Sequence, residues 1–273
     1  MSAAWLFRRV ALGPIVGLTL AGAVGFPEVI MGQDDQPRKG QRQASPAAAQ
    51  APFDAKTCID DLKSHNPAPL FGDDRPGPGA TPLFDKTFDW GEQDRVKGAI
   101  RAIVKHAADA WPQLIRHMDD RSYCITIDGD NGATNRSVGS ICSWIVSRNL
   151  AAAYYPLMPH QLRREVVYTR FVTPAAARGS DGLKAWCDKR GKRPLYELQI
   201  EMCEWSIDEL GRMIKGDEIP EVEGNASIAA VRSRIAAMRK SKEPVVFPGF
   251  GKEEFQTYSQ ERASKVRANR ETK

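Results

Sequence analysis

The chain has 273 residues, 42% of them hydrophobic and 27% charged, a balance that supports a folded core and excludes a chain disordered throughout. Its formal net charge of +5 is too modest to select nucleic acid, anionic polysaccharide or a lipid surface as partner. Five cysteines, at 58, 124, 142, 187 and 203, are too sparse for a disulfide scaffold. Their odd number leaves at least one free or paired between molecules, and no C-x-x-C pair exists to support a zinc-ribbon or thioredoxin-type site.

Arg8 and Arg9 precede an uncharged, mostly apolar run from Val10 to Phe26, which holds the small residues Ala21, Gly22 and Ala23. A basic region, an apolar region and an A-x-A-like end predict a signal peptide over residues 1–23, with cleavage as late as residue 32 as the variant. A helical membrane span needs ~20 mostly apolar residues. This run reaches that length only by taking in Pro27 and Glu28, and it already contains Pro14. Export to the periplasm, cell envelope or medium is therefore the expectation, and an N-terminal membrane anchor is the alternative. No later apolar run has spanning length, so no integral span is expected in the mature chain, and nucleic acid is not an expected partner for an exported protein.

Residues 33–56 are rich in Gln, Ala and Pro and bury too little to offset their ordering entropy, which predicts a disordered linker. A mainly helical domain is expected over 57–258, followed by a basic polar tail, 259–273. At its start Pro67, Pro69, Pro76, Pro78 and Pro82 punctuate an irregular stretch. Phe71, Phe84, Phe88 and Trp90 lie in or just after it and are expected to pin it to the domain. From Gly91, residues such as Val96, Ile100, Ile103, Ala107, Trp111 and Leu114 recur at helical spacing. Pro112 predicts a kink or a restart there. A strand follows at 123–128, and Asp128-Gly129 with Asn131-Gly132 marks a tight turn.

Asn135 is expected to cap a helix whose buried stripe is Val138, Ile141, Cys142, Ile145 and Val146. Residues 160–172 fit helix or strand. A short basic helix carries Leu183 and Trp186 and stops at Gly191. Over 194–215, Glu197, Glu201, Glu204 and Asp208 form one acidic stripe while the other faces are nearly all apolar, which predicts a mostly buried helix. Asn225 is read as opening the next helix, with Ile228, Val231, Ile235 and Met238 inward. The fold class is mainly α with a minor β-element, a single helical domain behind a signal peptide and flexible linker.

Motifs that carry chemistry are few. His106 and Asp109 are three apart on one helix and make a local pair, the weak candidates for metal binding. His117 lies roughly 16 Å further along at about 1.5 Å per residue, too far to share an ion unless the helix folds back. Asp128, Asp130 and Asn131 resemble part of a calcium loop, but the closing glutamate of an EF-hand is missing. No G-x-S-x-G, H-E-x-x-H, P-loop or G-x-G-x-x-G occurs, and no cofactor is implied. Asn135-Arg136-Ser137 and Asn225-Ala226-Ser227 match glycosylation sequons. Trp144 falls outside the stripe of its helix and is the candidate binding residue, for packing under a second layer or for contact with a protein or glycan. The expected function is that of an exported, non-catalytic interaction or cell-envelope protein. An exported hydrolase with a site assembled from distant residues is the alternative, so an enzymatic role stays open.

Overall fold

The computed structural model describes residues 53–71, 81–129, 132–159, 182–247 and 257–271. The expected signal peptide, linker residues 33–52 and the ambiguous segment 160–172 lie outside them. All described residues belong to one contact-dense unit, Ala51–Lys273, and its architecture is mainly α with minor β.

The first helix, α1 (Ala55–Asp60), starts on an Asp54 cap whose carboxylate accepts from the Lys56 amide at 3.0 Å. The structure thus extends into the end of the stretch read as linker: Phe53 stacks on His106 at 4.4 Å and Ile59 is buried. An isolated anchor and a cap suffice here, and composition averaged over the window hides both.

An extended passage follows, with the two-residue strands β1 (Leu70–Phe71) and β2 (Pro82–Leu83) paired antiparallel. Asn66, buried, donates to the Asp89 carbonyl at 2.7 Å and accepts from the Asp89 amide at 2.8 Å. Phe84, Phe88 and Trp90 pack together with Tyr258, centroids 4.8–5.4 Å apart. Phe84, Phe88 and Trp90 thus pin the end of this passage, while Phe71 sits half-buried in β1.

Helices α2 (Trp90–Lys105) and α3 (Ala107–Arg116) are divided at His106, where φ is −115°. The break therefore precedes Pro112, which lies inside α3 instead of kinking or opening it. Pro112 lacks the N–H that would bond the Ala108 carbonyl, and Ala108 is exposed, so that group is not buried without a donor deep in the core. Both apolar stripes stay inward: Val96, Ile100, Ile103, Trp111 and Leu114 are buried.

The hairpin β3 (Tyr123–Gly129) and β4 (Gly132–Ser137) pairs Thr126 with Asn135. Asn135 is thus a strand residue, and Ser137 caps the next helix, accepting from the Ser140 amide at 3.1 Å. Asn135 is otherwise engaged: its Oδ1 accepts from Thr126 and its Nδ2 donates to the Pro69 carbonyl, both at 2.8 Å. The tight turn returns the chain as a second strand before any helix can begin.

In α4 (Val138–Ala151) the whole expected stripe is buried. Its entry is close-fitting: a Cβ on Gly139 would lie 2.4 Å from the Met118 carbonyl oxygen. α5 (Gly182–Arg190) ends at Gly191, whose φ of +57° suits glycine. α6 (Leu195–Lys215) packs on α4 and, along its length, on α7 (Glu221–Ser241). α7 begins four residues before Asn225, which sits exposed inside it. Pro220 presets the turn, and Glu221 and Glu223 complement the positive helix end.

The basic tail is also structured. Tyr258 donates its amide to the Thr126 carbonyl at 3.2 Å, Arg262 pairs with Asp128, and α8 (Gln260–Glu271) follows. No helix among the described residues is long and apolar enough to cross a membrane.

Candidate functional site

The histidines form separate local pairs. His106 Nδ1 is 3.5 Å from Asp109 Oδ2, and Phe53, just before α1, stacks on its ring. His117 instead approaches Asp120, with Nδ1 3.7 Å from Oδ2. Among the described residues no three His, Cys, Asp or Glu side chains are grouped to hold a metal ion. Of the calcium-like turn, Asp128 pairs with Arg262, while Asp130 and Asn131 lie outside the described residues.

The cysteines are free thiols, all buried except the half-buried Cys58. Burial pushes Cys142, Cys187 and Cys203 up to about 12, and Cys124 higher still. They remain protonated at neutral pH, whereas a reactive cysteine needs its thiolate. These side chains act as small core hydrophobes.

The acidic stripe of α6 serves as a structural seam. Burial raises the Glu201 pKa, but hydrogen bonds from Arg190 and Arg193 outweigh it and hold the carboxyl below its usual range. Arg193 Nη1 donates to Glu201 Oε2 at 2.7 Å and its Nε to Glu197 Oε2 at 3.2 Å. Arg190 meanwhile stacks its guanidinium 3.9 Å over the Trp186 ring. On the far side Glu204 pairs with Arg239 at 2.7 Å, joining α6 to α7.

Trp144 is half-buried and packs against the core from beyond the aliphatic stripe of α4. Phe247 meets it edge-on at a centroid distance of 6.1 Å, and the Arg148 guanidinium lies 5.6 Å from its ring centre. The residue before Phe247, Val246, is 53% exposed. Trp144 therefore has a second layer over it, and that layer carries an apolar side chain out to solvent.

What places Phe247 there is a buried amide pair that sequence reading passed over. Gln199 Nε2 donates to the carbonyls of Asn149 (2.6 Å) and Val245 (2.8 Å), and Gln199 Oε1 accepts from the Val245 amide at 2.8 Å. Asn149 Oδ1 accepts from the Phe247 amide at 3.4 Å. Both amide side chains are fully buried. The available signal was position: Gln199 shares a helical face with Leu195 and Met202, where a polar residue must bond something. No protein-family model matches this chain, and neither a curated protein nor a solved structure matches it.

Proposed function

We propose that this chain is an exported, non-catalytic interaction protein of the cell envelope or the extracytoplasmic space, and that it meets a protein or glycan partner through the face formed by Trp144, Arg148, Val246 and Phe247. The observation that carries the reading is the build of that face. A Trp held edge-on by Phe247, with an Arg beside its ring and an exposed Val at its rim, has the composition of a binding hot spot. The titratable groups considered for chemistry have structural partners instead: Glu201 with two arginines, His106 with Phe53 and Asp109, and Asp128 with Arg262. The export element of the proposal rests on the basic and apolar pattern of residues 8–26.

The test uses the full chain in its own cells, with a photo-crosslinking residue at Val246. The expected result is a discrete adduct in the exported fraction, attached to a mature chain whose N-terminus lies between Val24 and Gln33. An intact Met1 terminus in the cytosol overturns export. Absence of any adduct at 246 overturns the choice of face.

A further inference from the structure

At the N-terminal end of α6 lies a cavity of about 240 Å³. Its apolar surface comes from Trp111 and Pro112 of α3 and Leu195 of α6, with Tyr196 beside them. Three cationic side chains also line it, Lys192 and Arg193 from the α5–α6 connection and Lys242 from the end of α7. Arg193 is offset by Glu197 and Glu201. Lys192 and Lys242 are exposed and make no ion pair among the described residues.

A further feature points the same way. The α6 N-terminus opens here without a side-chain cap, because Pro194 holds that position. The Leu195 and Tyr196 amides lack intrahelical acceptors at the positive end of this 21-residue helix, with Glu197 the acidic residue of its first turn. The lining thus combines unpaired positive charge with flat apolar walls.

Lys242 adds an argument from backbone. It terminates α7 in the left-handed conformation, φ 57° and ψ 25°, with its amide bonded to the Met238 carbonyl at 2.8 Å. Glycine is the usual occupant of such a position, since a Cβ is unfavourable there. A lysine in its place puts a cation on the cavity wall at a conformational cost.

We infer that this cavity binds a small aromatic acid, a single ring bearing one anionic group. The positive groups select the anion, and Trp111, Pro112 and Tyr196 select a flat apolar body. Size sets the limit: drug-sized ligands occupy pockets of about 300–1,000 Å³, so this space suits one ring. The inference does not depend on the Trp144 face or on export.

Calorimetric titration and thermal shift of the full chain test it, with benzoate and phenyl phosphate as probes and acetate, inorganic phosphate and benzyl alcohol as controls. Benzoate or phenyl phosphate should bind and raise Tm, the stronger of the two telling carboxylate from phosphate. The controls, each lacking one half of the ligand, should do neither. Lys242→Gly suits the left-handed backbone and keeps the fold, yet should weaken binding about three-fold, as should Lys192→Gln, with about ten-fold for the double variant, in line with exposed ion pairs. The inference fails if neither aromatic acid binds, if acetate or phosphate acts as strongly, or if the double variant binds as tightly as the native chain.

Discussion

The Glu92–Arg95 pair gives the sharpest quantitative expectation for Glu92→Gln. Arg95 donates from Nε to Glu92 Oε2 at 2.8 Å and from Nη2 to Oε1 at 2.7 Å, a fork closed within the first turns of α2. The same guanidinium reaches the Asp61 and Lys63 carbonyls, both at 2.9 Å, so the pair also ties the end of α1 to α2. Hydrogen bonding from Arg95 leads burial, which opposes it, in lowering the Glu92 pKa from 4.5 to about 2. At about 1.4 kcal/mol per unit, a shift of that size corresponds to roughly 3 kcal/mol, or about 2–3 after partial solvent screening of a side chain 10% exposed. The folded-state pKa is depressed, so this stability is fully present above the unfolded value of 4.5 and is lost as pH falls through about 2. Guanidinium denaturation followed by circular dichroism at pH 7, 4, 3 and 2.5 should show native protein ahead of Glu92→Gln by about 2–3 kcal/mol at pH 7, with the gap narrowing steadily below pH 4.5. Acid effects at distant carboxylates such as Glu201 occur in both proteins and cancel in the difference. A gap that is the same at pH 7 and pH 2.5, or below about 0.5 kcal/mol at neutral pH, refutes the reasoning.

Two glycines in helices should respond in opposite senses. Gly98 is exposed within α2 with open space where a Cβ would go, so Gly98→Ala should stabilise by about 0.5–1 kcal/mol, whereas Gly139→Ala drives a methyl onto the Met118 backbone and should destabilise by about 1–3 kcal/mol or more. Paired thermal melts decide between them. Gln199→Met keeps the volume but strips both bonds from Val245, and should cost about 2–4 kcal/mol while accelerating hydrogen exchange at the Val245 amide before that of α7. Unchanged exchange at Val245 would count against the clamp.

What the sequence discloses is what periodicity encodes. The stripe from Val138 to Val146 and the buried faces of α6 follow from side-chain spacing alone, because each helix must hide one row of apolar residues. The strand at 123–128 and the stop at Gly191 are local in the same sense, although burial does not follow the expected alternation, since Cys124, Ile125 and Thr126 are all buried beside a register shift. Boundaries set by distant partners were not legible. Asn135 has the chemistry of a helix cap, but its side chain is taken by Thr126 and Pro69, sixty-six residues away in the second case. Asn225 likewise suits a cap, and Pro220 begins the helix earlier. The break at His106 escaped because the apolar phase continues across it, while Pro112, the obvious breaker, lies inside α3. Of the candidate residues, Trp144 stands out in the sequence as off-stripe, but its Phe247 contact depends on a loop more than a hundred positions on.

A physical theme connects the parts that escaped. The described body has almost no sheet, yet it must hold several extended passages whose backbone groups need partners. Amide side chains meet that need, since each carries both a donor and an acceptor and so can bond an N–H and a C=O of a passing chain. Asn66 does this for Asp89, and Gln199 for Val245. Gln93 does half of it: its Nε2 donates to the Tyr258 carbonyl at 2.7 Å, while its buried Oε1 has no partner among the described residues. The Val245 clamp matters most for function, because it stands in the middle of a segment with two surfaces. Lys242 and Pro244 on one side line the cavity, and Val246 and Phe247 on the other form the Trp144 face. Loosening that one residue by Gln199→Met therefore should weaken aromatic-acid binding and crosslinking at Val246 together, whereas Lys242→Gly should weaken the first alone. Independent responses to Gln199→Met would mean that the two surfaces are positioned by something other than the shared segment.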